Sequence, residues 1–203
     1  MINVAETCVG TRALGPGLRS VVWVQGCPFD CHGCVAPEWI PDRPALLMSP
    51  ADLAERLLAD PDVTGLTFSG GEPMSQAGPL AEVARIARRT RELTLITFTG
   101  HRLERLRADP PDGAADLLAE TDVLIDGRYV AARNDGKGLR GSSNQRIHHL
   151  TERLRPYGEE LLAGPRHNEL RIRDGSVLMV GVPADGMLDA VRTALSGRTG
   201  PPS

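Results

Sequence analysis

The chain has 203 residues, 41% of them hydrophobic, which suits one globular domain with a sizeable core. A formal net charge of -3 and an aromatic content of 3% exclude a basic nucleic-acid footprint, a base-stacking platform and attraction to an anionic membrane. No run of about 18 apolar residues reads as a membrane span.

The opening MINVAETCVG lacks the basic start and apolar run of a secretory signal. The thiols are therefore expected in a reducing cytoplasm, where clustered cysteines bind metal or do chemistry more often than they pair. In chain order, SVVWVQ (20–25) is β-branched and apolar and reads as a buried strand. It runs straight into CPFDCHGC (27–34), which holds three of the four cysteines, spaced C-x3-C-x2-C. Ser49, Pro50 and Asp52 then mark a helix start, and Leu53, Leu57 and Leu58 give that helix an apolar face.

The pattern repeats. VTGLTFSGG (63–71) reads as strand and turn, and Leu80, Val83, Ala84 and Ala87 space a helix. LTLITFTG (93–100) is strand and turn, followed by the short helical stretches HRLERLRAD and AADLLAE on either side of DPPDG. DVLIDG (122–127) is again strand and turn. Strands alternating with helices imply a parallel sheet with crossover helices. Residues 128–146 form a polar, glycine-rich loop, and loops of that length are often functional. NELRIRDGSVLMVGVP (168–183) reads as a β-hairpin turning at Asp174-Gly175. A helix from Asp185 to Leu195 follows. The expected organisation is one domain over 1–197, with 198–203 a disordered tail.

Three thiols do not close a tetrahedral site, so three uses are open. Zinc could take Cys27, Cys31, Cys34 and the distant Cys8. Catalytic zinc could use three cysteines, although the H-x-E partner motif of nucleobase deaminases is absent. A [4Fe–4S] cubane usually takes four thiolates, so three would leave one iron open.

C-x3-C-x2-C on the loop after the first strand resembles the signature of radical S-adenosylmethionine (SAM) enzymes. FSGGEP (68–73), after the second strand, resembles that family's GGE motif. GPGLRSVVWVQGCPFDCHGC, DVLIDGRY and RGSSNQRI (140–147) resemble the activating enzymes of glycyl-radical proteins, especially the anaerobic ribonucleotide reductase activases. The likeness runs from about Gly15 to Gly181. Gly33 stands where the wider family often has an aromatic residue, and the reductase activases accept glycine there. ALGPG and VQGCPFDCHGCVAPEW are closer to a set of small, activase-like, single-cluster proteins.

The resemblance implies a fold, cofactors and roles. The fold would be a partial (β/α)6-type TIM barrel with parallel strands, open on one side; a full barrel takes roughly 250 residues. Cys27, Cys31 and Cys34 would hold a [4Fe–4S] cluster whose open iron chelates SAM. Gly70 and Gly71 would let backbone approach the ligand, and Glu72 would accept from its amino group. Thr97 and Thr99 would bring a strand end to the ribose, Asp126 would sit at a strand's carboxyl end, and Val180, with Val182, would line the adenine pocket. Ordinary packing and strand propensity account for the threonines and valines equally well, and solvated loop structure for Ser142 to Gln145. Cys8 reads as a small buried residue, and His32 as an exposed loop residue.

The implied reaction is one-electron reduction of SAM to methionine and a 5′-deoxyadenosyl radical, which abstracts hydrogen from a substrate. The implied substrate is a glycyl-radical-type partner protein offering a loop to the open side, with a flavodoxin- or ferredoxin-type electron donor. A small molecule or peptide is the alternative substrate. A non-catalytic Fe–S or zinc-binding protein is the alternative of another class, against which the GGE turn argues, since a structural metal site needs no amine-binding turn.

Overall fold

The computed structural model describes residues 1–173 and 175–196; Asp174 of the expected hairpin turn and the expected tail 198–203 lie outside them. In chain order the elements are β1 (Ile2–Thr11), β2 (Arg19–Val24), β3 (Leu46–Met48), α1 (Pro50–Leu57), β4 (Gly65–Gly70), α2 (Ala77–Thr90) and β5 (Thr94–Thr99). There follow α3 (Leu103–Ala108), α4 (Ala114–Glu120), β6 (Val123–Asp126), β7 (Arg146–His149), α5 (Gly158–Ala163), β8 (Asn168–Arg173), β9 (Ser176–Gly181) and α6 (Met187–Ser196).

Seven strands form one mixed α/β sheet in the order β3-β1-β2-β4-β5-β6-β7. The central strands β2, β4, β5 and β6 run parallel, as strands joined by crossover helices do. The flanking strands β1, β3 and β7 are antiparallel to their neighbours. β8 and β9 pair as a separate antiparallel hairpin, in register from Asn168↔Gly181 to Arg173↔Ser176. No helix among the described residues is long and apolar enough to cross a membrane.

β2 and β6 are buried along their whole length, which fits a parallel sheet covered on both faces. The pleat of β2 divides its side chains between two cores. Val22 and Val24 join Phe68, Leu95 and Leu124 against α1, α2 and α4. Val21 and Trp23 join Ile96, Val123, Ile125, Val180 and Cys8 on the opposite face. α1 starts as its sequence suggests: the Ser49 hydroxyl caps it by accepting from Asp52 N at 3.1 Å.

At the N-terminal edge of the parallel strands lies a fully buried arginine, Arg19. Its guanidinium donates to Thr67 Oγ1 (2.8 Å), Thr94 Oγ1 (3.0 Å), Pro16 O (3.1 Å) and Leu66 O, all of them neutral acceptors. Burial pulls its pKa down to about 9, against the opposing charge of Asp122. Gly65 leaves room for it, because a Cβ there would collide with the guanidinium.

Candidate functional site

The carboxyl ends of β2, β4, β5 and β6 open into one cavity. The cysteine loop leaves the end of β2, the GGE turn leaves β4, Thr99 and Gly100 end β5, and Gly127 to Tyr129 follow β6. Placing the reacting groups on loops at the carboxyl ends of parallel strands is how open α/β sheets build sites.

Cys27, Cys31 and Cys34 all line this cavity. Their loop is closed at its base by Gly26 N to Trp39 O (2.9 Å) and Cys27 N to Ile40 O (3.0 Å), and tightened inside by Cys34 N to Cys31 O (3.0 Å). Burial pushes the Cys27 thiol up to about 11, although Phe29 N bonds toward it; burial likewise raises Cys34. The three thiols share a cavity without converging: among the described residues, no three His, Cys, Asp or Glu side chains close around a single ion. Cys8 sits elsewhere, buried in β1 opposite Val21, so it does not complete a four-thiolate site with the loop. This donor set fits a polynuclear cluster held on one wall, with one position left for another ligand.

The GGE turn is laced to the cysteine loop by backbone bonds, Gly71 N to Val24 O (2.7 Å) and Glu72 N to Gly26 O (2.9 Å). The lacing leaves no space for side chains. Gly70 has φ +107, and a Cβ on it would meet the backbone of Trp23 and Val24; one on Gly71 would meet Gly26 O.

Glu72 is buried and bordered by neutral donors. Met74 N (2.9 Å) and Thr99 Oγ1 (2.8 Å) donate to its Oε1, and Gly100 N (2.7 Å) to its Oε2. Burial lifts its pKa to about 7, outweighing these hydrogen bonds. Among the described residues no cation compensates Glu72, so a cationic amine reaching the cavity would favour its ionised form and pair with it.

The other expected residues divide. Thr99 lines the cavity, whereas Thr97, buried two residues earlier, bonds Thr121 Oγ1 at 2.9 Å. Asp126 is not in the cavity wall. Its carboxylate accepts from Leu103 N (2.7 Å), Arg102 Nη1 (3.2 Å) and Arg146 (Nε 3.0 Å, Nη2 2.6 Å), with His148 Nε2 at 3.0 Å. Burial pushes its pKa up, but the Arg146 bonds, the Leu103 amide and the His148 charge overcome this and leave it at about 2. Val180 is fully buried in the inner core, while Gly181 and Val182 next to it reach the cavity. Within the 140–147 run, Gly141 and Gln145 line the cavity, while Ser142 Oγ accepts from Val130 N.

Aromatic and basic side chains complete the cavity wall, among them Phe29, Trp23, Trp39, Arg128 and Tyr129. Arg128 lies 4.5 Å above the Phe29 ring, and Phe29 meets His101 edge-on at 4.8 Å, so the cysteine loop is clamped between the ends of β5 and β6. The position directly after a strand end was the available pointer to Arg128 and Tyr129. The Trp23 and Trp39 rings, tilted at 37° with centroids 5.7 Å apart, line the same cavity as the thiols. Gly33 has φ +76, and a Cβ there would lie 2.9 Å from that of Ala131, so an aromatic side chain at this position would strike the loop after β6.

The sequence is similar to known proteins. The family model described as "4Fe-4S single cluster domain" matches residues 13–148. The anaerobic ribonucleoside-triphosphate reductase-activating protein of Vibrio cholerae is 32% identical over 148 residues, covering 68% of this chain and 91% of that protein. The protein of that name from Enterobacteria phage T4 is 30% identical over 138 residues, covering 66% and 85%. The pyruvate formate-lyase-activating enzyme of Clostridium pasteurianum is 29% identical over 137 residues, covering 63% and 54%. With its three thiols and GGE turn around one cavity, the chain belongs to the radical SAM family of activating enzymes, which carry a single [4Fe–4S] cluster and use SAM.

Proposed function

We propose that this chain activates a partner protein of the glycyl-radical type by hydrogen abstraction. The observation that carries the reading is the uncompensated Glu72 carboxylate facing the same cavity as Cys27, Cys31 and Cys34. A structural metal site has no use for an amine-binding acid; a site that binds SAM beside its cluster does. The names of the relatives support an activating role. We read the four parallel strands as the core of a partial barrel whose open side admits a loop of the partner.

When bound, the reduced cluster and SAM supply one-electron cleavage of the sulfonium carbon–sulfur bond and abstraction of a hydrogen atom. The chain's residues prepare for this. Cys27, Cys31 and Cys34 act as thiolates, which metal binding must draw out against the burial that raises Cys27 and Cys34. Glu72 and the bare backbone of Gly70 and Gly71 receive the amine. Thr99 and Gly100 N hold the Glu72 carboxylate in place. Trp23, Trp39 and Phe98 make the inner wall apolar and keep water from the reacting centre.

The test is anaerobic reconstitution, reduction, addition of SAM and assay for 5′-deoxyadenosine and methionine. Cleavage is expected. No product from protein with an intact cluster would sink the proposal. With cleavage in hand, a glycyl-radical signal on an added anaerobic reductase supports the partner assignment, and its absence across glycyl-radical enzymes of several kinds removes it.

A further inference from the structure

The family match ends at residue 148, within β7, yet the cavity does not. Gly181, Val182 and Pro183, at the exit of the β8–β9 hairpin, form part of its wall. Val182 packs on the same apolar cluster as Trp23, Trp39 and Phe98. Residues outside the shared stretch therefore supply a side of the site.

One side chain holds that wall. Arg166 lies just before the hairpin, and its side chain is only 4% exposed. Its Nη1 donates to Pro183 O (2.9 Å) and Asn134 Oδ1 (2.7 Å). Its Nη2 donates to Arg140 O (2.6 Å) and Gly141 O (3.3 Å), and its Nε to Gly138 O (3.2 Å). Asn134 Nδ2 adds a second donor to Pro183 O at 3.2 Å and also reaches Tyr129 Oη at 3.3 Å. Gly141, Tyr129 and Pro183 all line the cavity, so this pair of side chains ties two walls to each other. Backbone bonds reinforce the seam, from Gly138 N to Gly164 O and from Leu139 N to Leu161 O, each 2.8 Å. A planar guanidinium with five donors suits carbonyls arriving from several directions; a lysine cannot reach them all.

We propose that Arg166 is a positioning residue for the reaction: it fixes the Gly181–Pro183 wall against the 138–141 loop and so keeps solvent out of the cavity along that wall. The role in the reaction rests on the proposed function, but the wall itself can be tested without it. Trp23 and Trp39 are the chain's only tryptophans, and both line the cavity, so their fluorescence reports on it.

In cluster-free protein, Arg166→Met should raise acrylamide quenching of tryptophan and speed amide exchange across 181–187 by about tenfold, the factor expected for losing a buried charged hydrogen-bond set. Arg166→Lys should restore part of both. In the loaded enzyme, Arg166→Met should yield more 5′-deoxyadenosine per glycyl radical formed, because hydrogen then comes from sources other than the partner. A folded Arg166→Met with quenching and exchange within about twofold of wild type would overturn the clasp. A loosened wall with an unchanged product ratio would overturn its role in excluding solvent. If Arg166→Met does not fold, Asn134→Ala carries the test, and unchanged exchange at 181–187 in that variant overturns the proposal. Failure of SAM cleavage in wild-type protein would remove the proposed function and leave the cluster-free measurements standing.

Discussion

Replacing Glu72 by glutamine separates the two things the carboxylate does in the folded chain. Its pKa rises from 4.5 to about 7 on folding, because burial outweighs the bonds from Gly100 N, Met74 N and Thr99 Oγ1. The folded state thus holds this proton more tightly than the unfolded state. Its stabilising contribution is complete below pH 4.5, is lost as pH rises from there to 7, and changes no further above. A shift of that size is worth about 3 kcal/mol. Glutamine has no charge to bury, so it avoids this loss. It also turns an amide N–H₂ toward one of the three donors, leaving Gly100 N unsatisfied at a cost of about 1–3 kcal/mol. The variant should therefore be the less stable protein at pH 5 and should draw level with wild type, or pass it, at pH 8. The assay is urea unfolding of the cluster-free, reduced protein across that range, read as the difference between the two stability curves, in which other titrating groups cancel. Parallel curves would refute the account of Glu72 as a buried, uncompensated acid.

The remaining predictions concern neighbouring parts. Cys31→Ala should fail to retain the cluster and abolish SAM cleavage; iron content and 5′-deoxyadenosine measure both, and retained cleavage would refute the ligand assignment. Gly71→Ala should destabilise the cluster-free protein by about 3 kcal/mol in urea unfolding, since its methyl group meets the Gly26 carbonyl rather than a side chain that can move. Asp126→Asn should lose about 2 kcal/mol at pH 7 by weakening the Arg146 and Arg102 bonds. Asp126 has a depressed pKa, so its contribution exists above pH 3.8 and disappears as pH falls through about 2; the gap between variant and wild type should close on acidification.

The chemistry-bearing parts of this chain were legible because they are local. Three thiols within eight residues, and two glycines before a glutamate, can be read without knowing what packs around them. The strand–helix alternation from 63 to 127 likewise betrayed the central parallel strands. β1 was not read: its register shifts after Val4 and after Cys8 break the two-residue rhythm that marks a strand. The antiparallel direction of β7 is set by how the 127–145 loop returns, which no residue in the strand encodes. The side-chain destinations were the least accessible. Thr97 and Thr99 share a strand and a spacing, yet one bonds a helix-end threonine and the other the Glu72 carboxylate. Asp126 ends a strand as a site residue would, but two arginines and a histidine meet it from other segments. Arg166 belongs to a stretch with no motif, and only the fold brings it under Pro183.

Arg19 implies that the base of the sheet opens as one unit. Its acceptors come from the 12–18 loop, from β4 and from β5, and none of them is charged. Releasing any one of these segments would strand a cation in a low-dielectric interior without its full set of partners. The base therefore has no inexpensive partly opened state, and amides of β4 and β5 should exchange only when the whole chain unfolds. The loops at the opposite end are held to one another by separate contacts, Arg166 between Pro183 and the 138–141 loop and Arg128 and His101 on Phe29. A stiff floor beneath walls that are tied to one another holds in place the strands that aim the thiols.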